Sequence, residues 1–239
     1  MFDSCEMMTL QDFEKGTVLL IDKPMNWTSF DVVNKVRNET RVKKVGHAGT
    51  LDPLATGLLI LCTGAFTKKI DSYQAQEKEY TGTITLGATT PSYDMETAVD
   101  QTYDTSQVTI DAIHAAAKSF VGTIQQRPPQ HSAKKINGKR AYHSARQGEV
   151  IEMPAREVTI TEFNITAIQM PLITFKVVCE KGTYIRSLAY DLGRALNCGG
   201  YLSALCRTRI GDFKLEDAIP MDAFVAQMKA MRALSADIK

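Results

Sequence analysis

The chain lacks several things that would place it quickly. No apolar run approaches the roughly 18 to 20 residues of a membrane-spanning helix; the densest, Leu58 to Cys62, has only the length of a strand. That excludes a helical membrane protein. Pairing of cysteines is also missing: the five, Cys5, Cys62, Cys179, Cys198 and Cys206, are odd in number and widely spaced, with no C-x-x-C pair. They read as reduced thiols of a cytoplasmic protein, with neither disulfides nor a zinc site expected. The start, Met1-Phe-Asp-Ser-Cys-Glu6, is acidic and leads into no long apolar stretch, unlike a secretory signal. Net charge is nearly absent, with 28 Lys and Arg against 27 Asp and Glu. A protein coated in one sign of charge is therefore excluded, and only local patches remain as polyanion sites. Internal repeats, low-complexity tracts and a linker-like gathering of Pro, Gly or charge are absent as well, so no clean domain boundary shows.

What is present is ordinary globular composition, 44% hydrophobic and 23% charged over 239 residues. At about 150 residues per domain this length fits one domain with an elaboration. Thr17 to Ile21 reads as a buried strand. Thr28-Ser-Phe-Asp31 has capping-box spacing and predicts a helix carrying Phe30, Val32, Val33 and Val36 that ends near Thr40. A loop follows from Gly46 to Thr56, and then a strand from Gly57 to Thr63. Tyr80, Gly82, Ile84 and Leu86 alternate with threonines, the period of a strand with one face buried. Ile110 to Val121 repeats at helical spacing and stops before Gly122. Val158 to Ile168 and Leu172 to Cys179 form a predicted hairpin turning at Gln169-Met-Pro171, and Ile185 to Leu196 predicts an amphipathic helix stopped by Cys198-Gly-Gly200. A last helix is expected over Met221 to Leu234. Strands and helices do not alternate regularly, so the expected class is α+β, with a mixed, largely antiparallel sheet flanked by helices.

Two stretches are basic. Arg127, Lys134, Lys135, Lys139, Arg140 and Arg146, with His131 and His143, occur with no acidic residue before Glu149; Arg37, Arg41, Lys43 and Lys44 lead into Gly46. Either could be a solvated face or a polyanion surface. The Gly-rich segment from Val45 to Gly57 holds one carboxylate, Asp52, before a strand. It lacks the Lys-Ser/Thr ending of a P-loop, which removes nucleotide hydrolysis. Asp52-Pro53 alone reads as a turn as readily as a site, and Tyr80 alone as a sheet anchor. Arg186 falls in the first turn of a helix, where the macrodipole disfavours a cation by about 0.3 to 1 kcal/mol. A carboxylate partner, with Asp52 the candidate, or solvent exposure would offset that cost.

Five ordered blocks carry a resemblance: Gly46-His-Ala-Gly-Thr-Leu-Asp-Pro-Leu-Ala-Thr-Gly57, Lys78-Glu-Tyr80, Ser132-Ala-Lys-Lys135 through Gly138 to Ala141-Tyr142, Lys181-Gly-Thr-Tyr-Ile-Arg186 and Leu205-Cys-Arg-Thr208. From about Gly16 to Phe213 the chain resembles the TruB family of tRNA pseudouridine-55 synthases. The resemblance implies a pseudouridine synthase fold that isomerises a uridine in the T-arm loop of tRNA, with no cofactor and no metal. It makes Asp52 the catalytic aspartate, Tyr80 the tyrosine that stacks on the target base, and Arg186 the arginine paired with the aspartate. His47 matches the residue that fills the gap left by the flipped base. Tyr184 and Leu205 match pocket-lining positions, and Asp94 a polar position near the base. The window around 124–152 matches a mobile insertion that clamps RNA, with Lys135, Lys139 and Arg140 contacting phosphates. Tail residues 1–15 match nothing recognisable, and 16–239 is expected to be a single catalytic domain. Only 26 residues follow Phe213, so the small C-terminal PUA-type RNA-binding domain of most bacterial members is not expected. The resemblance implies a cytoplasmic monomer that binds tRNA and needs no protein partner. An RNA chaperone of the same fold is the alternative, with a subunit guided by a separate RNA ranked behind it.

Overall fold

The computed structural model describes residues 10–130, 135–136, 139–140 and 153–237. Cys5, His131, Lys134, Tyr142, His143 and Arg146 lie outside the described residues, and of Lys135, Lys139 and Arg140 only the backbone is described. The chain divides into two compact units, Met1–Gln76 with Arg207–Lys239, and Glu77–Cys206. Nothing in the sequence marks these crossings. One falls just before a strand and the other inside the Gly200–Ile210 strand, where composition and turn residues do not change.

In the first unit the strand Val18–Lys23 pairs antiparallel with Thr56–Thr63, from Val18 opposite Cys62 to Lys23 opposite Gly57. The short strand Val45–His47 pairs antiparallel with Thr56–Thr63, and Ile219–Pro220 runs parallel to Ile21 and Asp22. The unbroken apolar run Leu58 to Cys62 now has its reason. Leu59 and Leu61 pack with Ile21, Val32, Val33, Val36 and Phe224, whereas Leu58, Ile60 and Cys62 pack with Ala48 and Ile210, so both faces of the strand are buried.

The helix Ser29–Thr40 starts on the expected capping box. The Thr28 hydroxyl accepts from the Asp31 amide while the Asp31 carboxylate accepts from the Thr28 amide, a device that stabilises by about 1 kcal/mol. Its buried face runs through Ser29, Val32, Val33, Val36 and Thr40. Phe30, expected on that face, is 60% exposed, because the 3.6-residue period that selects 32, 33 and 36 selects Ser29 rather than 30. Residues 10–15 of the expected tail are also corrected: Leu10–Lys15 is a helix and Phe13 is 1% exposed in the core. A single aromatic in six residues has no periodicity to read. The C-terminal helix, Met221–Asp237, runs three residues past its expected end.

In the second unit the strands Lys78–Leu86, Leu172–Cys179, Arg156–Gln169 and Gly122–Gln126 pair antiparallel in that order. Lys78–Leu86 buries every second residue, Tyr80, Gly82, Ile84 and Leu86 among them, as its alternation predicts. The hairpin forms at the expected turn. Gly122, expected to cap the preceding helix, instead opens a strand with φ +108°, a conformation open to glycine. The helices Ile110–Ser119 and Ile185–Ala195 appear where the spacing puts them. Each unit is thus α+β with largely antiparallel pairing, as expected. Among the described residues no helix is long and apolar enough to cross a membrane. Burial pushes the thiols of Cys62 and Cys179 up to about 11, which leaves them inert.

Candidate active site

The Gly-rich segment was expected to be loop from Gly46 onward, but its first residues, Gly46 and His47, extend the sheet opposite Cys62 and Leu61. The Ala48 amide then donates to the Ile60 carbonyl at 2.9 Å. After Gly49, with φ +100°, the chain leaves the sheet and returns through Gly57, also at φ +100°. Glycine at both points lets the loop start and end in a backbone region that side chains disfavour. Between them Pro53 sits second in a turn closed by the Ala55 amide on the Asp52 carbonyl at 3.1 Å, the position proline favours.

Four groups hold this loop. Ser29 Oγ accepts from the Leu51 amide at 2.9 Å and donates to the Leu51 carbonyl at 3.2 Å. The Pro53 carbonyl accepts from the Asn26 amide at 2.8 Å and from Lys23 Nζ at 3.3 Å. Lys23 Nζ also donates to the carbonyls of Pro24 and Trp27. Arg207 donates from Nε to the Leu58 carbonyl at 2.8 Å and from Nη2 to the Gly49 carbonyl at 3.1 Å, bracketing both ends of the loop. Asp52 itself is half-buried.

The electrostatics follow from burial. Lys23 is fully buried, and desolvation lowers its pKa to about 8; the Asp52 carboxylate opposes that shift and the Arg207 guanidinium adds to it. Burial also lowers the pKa of His47, with Arg207 contributing and the Gly49 backbone opposing. The imidazole is therefore neutral at pH 7.

In the second unit Tyr80 lies in the Lys78–Leu86 strand opposite Val177 and is 8% exposed. Tyr184 is the N-terminal cap of the Ile185–Ala195 helix. Its main chain is bracketed by the Gln126 side chain: the Tyr184 amide donates to Gln126 Oε1 at 2.8 Å, and Gln126 Nε2 donates to the Tyr184 carbonyl at 3.1 Å. Arg156 stacks on the Tyr184 ring with its guanidinium carbon 4.8 Å from the centroid. Arg186 is 4% exposed, so solvent exposure does not explain a cation in the first turn. Its Nε lies 3.6 Å from Asp94 Oδ2, and its Nη1 donates to the Ser92 carbonyl at 3.2 Å. Asp94 is fixed in turn, with Oδ1 accepting from the Glu96 amide and its carbonyl accepting from Thr90 and Ser92 hydroxyls. Leu205 is half-buried in the Gly200–Ile210 strand.

The structure therefore joins Asp52 and His47 in one anchored segment, and Arg186, Asp94 and Tyr184 in another. Lys135 and Arg140 oppose each other in a two-residue ladder, with Lys139 opposite Ile136. The Asp94–Arg186 pair was not read from the sequence, where Asp52 was the carboxylate named for Arg186 and solvent exposure the alternative. Ser29, Lys23, Arg207 and Gln126 were also missed. Ser29 alone left a signal, since it continues the apolar face of its helix as a polar residue. Among the described residues no cluster of His, Cys, Asp and Glu is placed to hold a metal ion.

Comparison with known proteins bears on both segments. Residues 37–185 match the family model described as TruB family pseudouridylate synthase (N terminal domain), and residues 186–237 match tRNA pseudouridylate synthase B C-terminal domain. A tRNA pseudouridine synthase B of Flavobacterium johnsoniae is 54% identical over 224 residues, covering 91% of this chain and 98% of that protein. One of Phocaeicola vulgatus is 51% identical over 219 residues, covering 89% and 93%. Among solved structures, a chain of a Cbf5-Nop10-Gar1 complex superposes with a TM-score of 0.71 at 30% identity over 90% of this chain, and one from an archaeal box H/ACA sRNP Nop10-Cbf5 complex with 0.68 at 26% over 93%. This chain spans only 55% and 56% of those two longer chains.

Proposed function

The chain belongs to the TruB family of pseudouridylate synthases, and from that premise we propose that it isomerises uridine 55 in the T-arm loop of tRNA to pseudouridine. The observation that carries the reading is the Asp52 segment. Inside the family-matched region, the residues on both sides of this carboxylate have their main chains tied down by buried side chains. Such anchoring suits a residue that must meet a reacting atom in one geometry.

In this reading the N1 glycosidic bond breaks, the base turns, and C5 bonds to the ribose; C5 loses a proton and N1 gains one, so substrate and product are isomers. Asp52 attacks or stabilises the electron-poor carbon and then leaves, dividing one difficult step into easier ones. The family resemblance gives Arg186 the task of keeping the catalytic aspartate ionised and oriented. Tyr80 stacks on the base and is the candidate to take the C5 proton. The target uridine is unreachable while stacked and must be flipped out. His47, uncharged at pH 7 through burial, suits insertion among stacked bases. Tyr184 and Leu205 line the slot, and Asp94 contributes its polar position through its pairing with Arg186. Lys135, Lys139 and Arg140 clamp the RNA backbone, and the enzyme works as a cytoplasmic monomer with tRNA as its partner.

Tritium release from a tRNA transcript labelled at uridine C5 tests the assignment. The native chain is expected to release about one equivalent, and none is expected from Asp52→Asn or from a transcript carrying cytidine at position 55. Native-rate release by Asp52→Asn would remove the catalytic assignment, and tRNA folding without any release would favour the chaperone reading. Neutralising Lys135, Lys139 and Arg140 together should weaken tRNA binding and flatten its salt dependence, with single-turnover chemistry at saturating RNA retained. Equal loss of both would place these residues in the pocket.

A further inference from the structure

We propose that Ser29 is a positioning residue for Asp52, acting through Leu51; the assignment rests on the catalytic reading of Asp52. One oxygen, Ser29 Oγ, serves both polar groups of the Leu51 main chain, accepting from its amide at 2.9 Å and donating to its carbonyl at 3.2 Å. Ser29 and Leu51 are 2% and 3% exposed, so water cannot replace the hydroxyl in either bond. Leu51 is joined directly to Asp52, and the Leu51 carbonyl belongs to the peptide plane that carries the Asp52 nitrogen. Fixing that plane fixes where the Asp52 side chain departs from the backbone. On the other side of Asp52, Pro53 has no amide to offer, and its carbonyl is taken by Asn26 and Lys23. The aspartate is therefore set between two pinned peptides, both held from the segment 23–29.

Helix capping does not account for Ser29. The cap is Thr28, whose hydroxyl and Asp31 partner already satisfy the reciprocal bonds of the capping box. Ser29 is the next residue, at the position where the buried face of the helix begins. An alanine there would fill an apolar face equally well. Among the described residues the hydroxyl bonds only to Leu51.

The test uses the full chain and the C5-tritiated tRNA transcript, with single-turnover rates at saturating enzyme, tRNA affinity and thermal melting measured on each variant. Ser29→Ala is expected to slow the chemical step by about 10- to 100-fold while tRNA affinity stays within about twofold. Ser29→Thr keeps the hydroxyl and should return most of the rate, with Ser29→Cys, a weaker hydrogen-bonding group of similar shape, between the two. Thr28→Ala loosens the same helix without touching Leu51; it should melt earlier and react at the native rate. A native rate in Ser29→Ala overturns the proposal, as does equal slowing by Thr28→Ala. If Ser29→Ala does not fold, the remaining pair decides, and equal rates for Ser29→Thr and Ser29→Cys overturn it. Asp52→Asn, run alongside, separates the two claims. An active Asp52→Asn brings down the catalytic reading together with this one. An inactive Asp52→Asn beside a fully active Ser29→Ala brings down only the role of Ser29.

Discussion

The two units hold their charged residues by different means. Asp52 sits on a loop with no helix or strand between Gly49 and Ala55, and that loop draws on Ser29, Lys23, Arg207 and the Asn26 amide for its order. Arg186 sits in the first turn of a helix whose own bonds fix most of the backbone; there the Gln126 amide, the Asp94 carboxylate and the Ser92 carbonyl add to that order. Irregular backbone needs side chains to satisfy polar groups that a helix satisfies by itself. A second difference lies in sign. The loop anchors include two buried cations, Lys23 and Arg207, the first within electrostatic reach of Asp52, whereas the helix places a buried carboxylate against an arginine. Each unit supplies opposite charge to its own functional residue, and that reduces the cost of burying it.

The comparison breaks most visibly at Arg186. Arg186→Lys keeps the charge but has neither the planar fork nor the reach to face Asp94 and the Ser92 carbonyl together. Single-turnover tritium release should fall about 100- to 1,000-fold. Full activity in the lysine variant would show that charge alone is needed and that the geometry beside Asp94 is incidental.

How much of this could be read beforehand differs between the units for physical reasons. Alternation and helical spacing report burial on one side of an element, so Lys78–Leu86, the hairpin ending at Cys179 and the Ile185–Ala195 helix were legible. Elements defined by pairing alone were not. Val45–His47 is three residues long, and Gly200–Ile210 shows no clean alternation of burial. The site residues came from motif resemblance, whereas their supports did not. Ser29 bonds 22 residues away and Gln126 bonds 58 residues away, and no local pattern encodes such a partner. The macrodipole argument left a carboxylate partner or solvent exposure open for Arg186 and named Asp52 as the carboxylate; Asp94, 92 positions away, could not be found by spacing.

Lys23 sharpens the comparison through pH. In the native protein its ammonium loses its proton near pH 8, against 10.5 for an unperturbed lysine. Burial dominates; Asp52, Asp22 and Asp31 pull the value up and Arg207 pushes it down. Below about pH 8 both folded and unfolded chains carry the proton, and the burial cost is fully present. Between 8 and 10.5 the unfolded chain holds more protons at this side chain than the native one, so its contribution to stability rises with pH. Lys23→Met removes that rise. The gain in unfolding free energy of the native chain between pH 7.5 and 10 should exceed that of the variant by about 2 kcal/mol, read from urea denaturation at the two pH values. Parallel behaviour would mean that Lys23 is not desolvated.

Gln126 gives the smallest effect and the most direct comparison with Ser29, since both bracket the amide and carbonyl of one residue. The consequences should differ because the bracketed residues differ. Among the described residues the Leu51 main chain bonds only to Ser29, whereas the Tyr184 carbonyl also accepts from the Leu188 amide at 3.1 Å within the helix. Gln126→Ala therefore strands mainly the Tyr184 amide and leaves Arg186 on a helix that still forms. The single-turnover rate should fall only about tenfold, equivalent to about 1.4 kcal/mol. A variant more damaged than Ser29→Ala would reverse the ranking and show that the helix start, rather than the loop, depends more on its side-chain anchor.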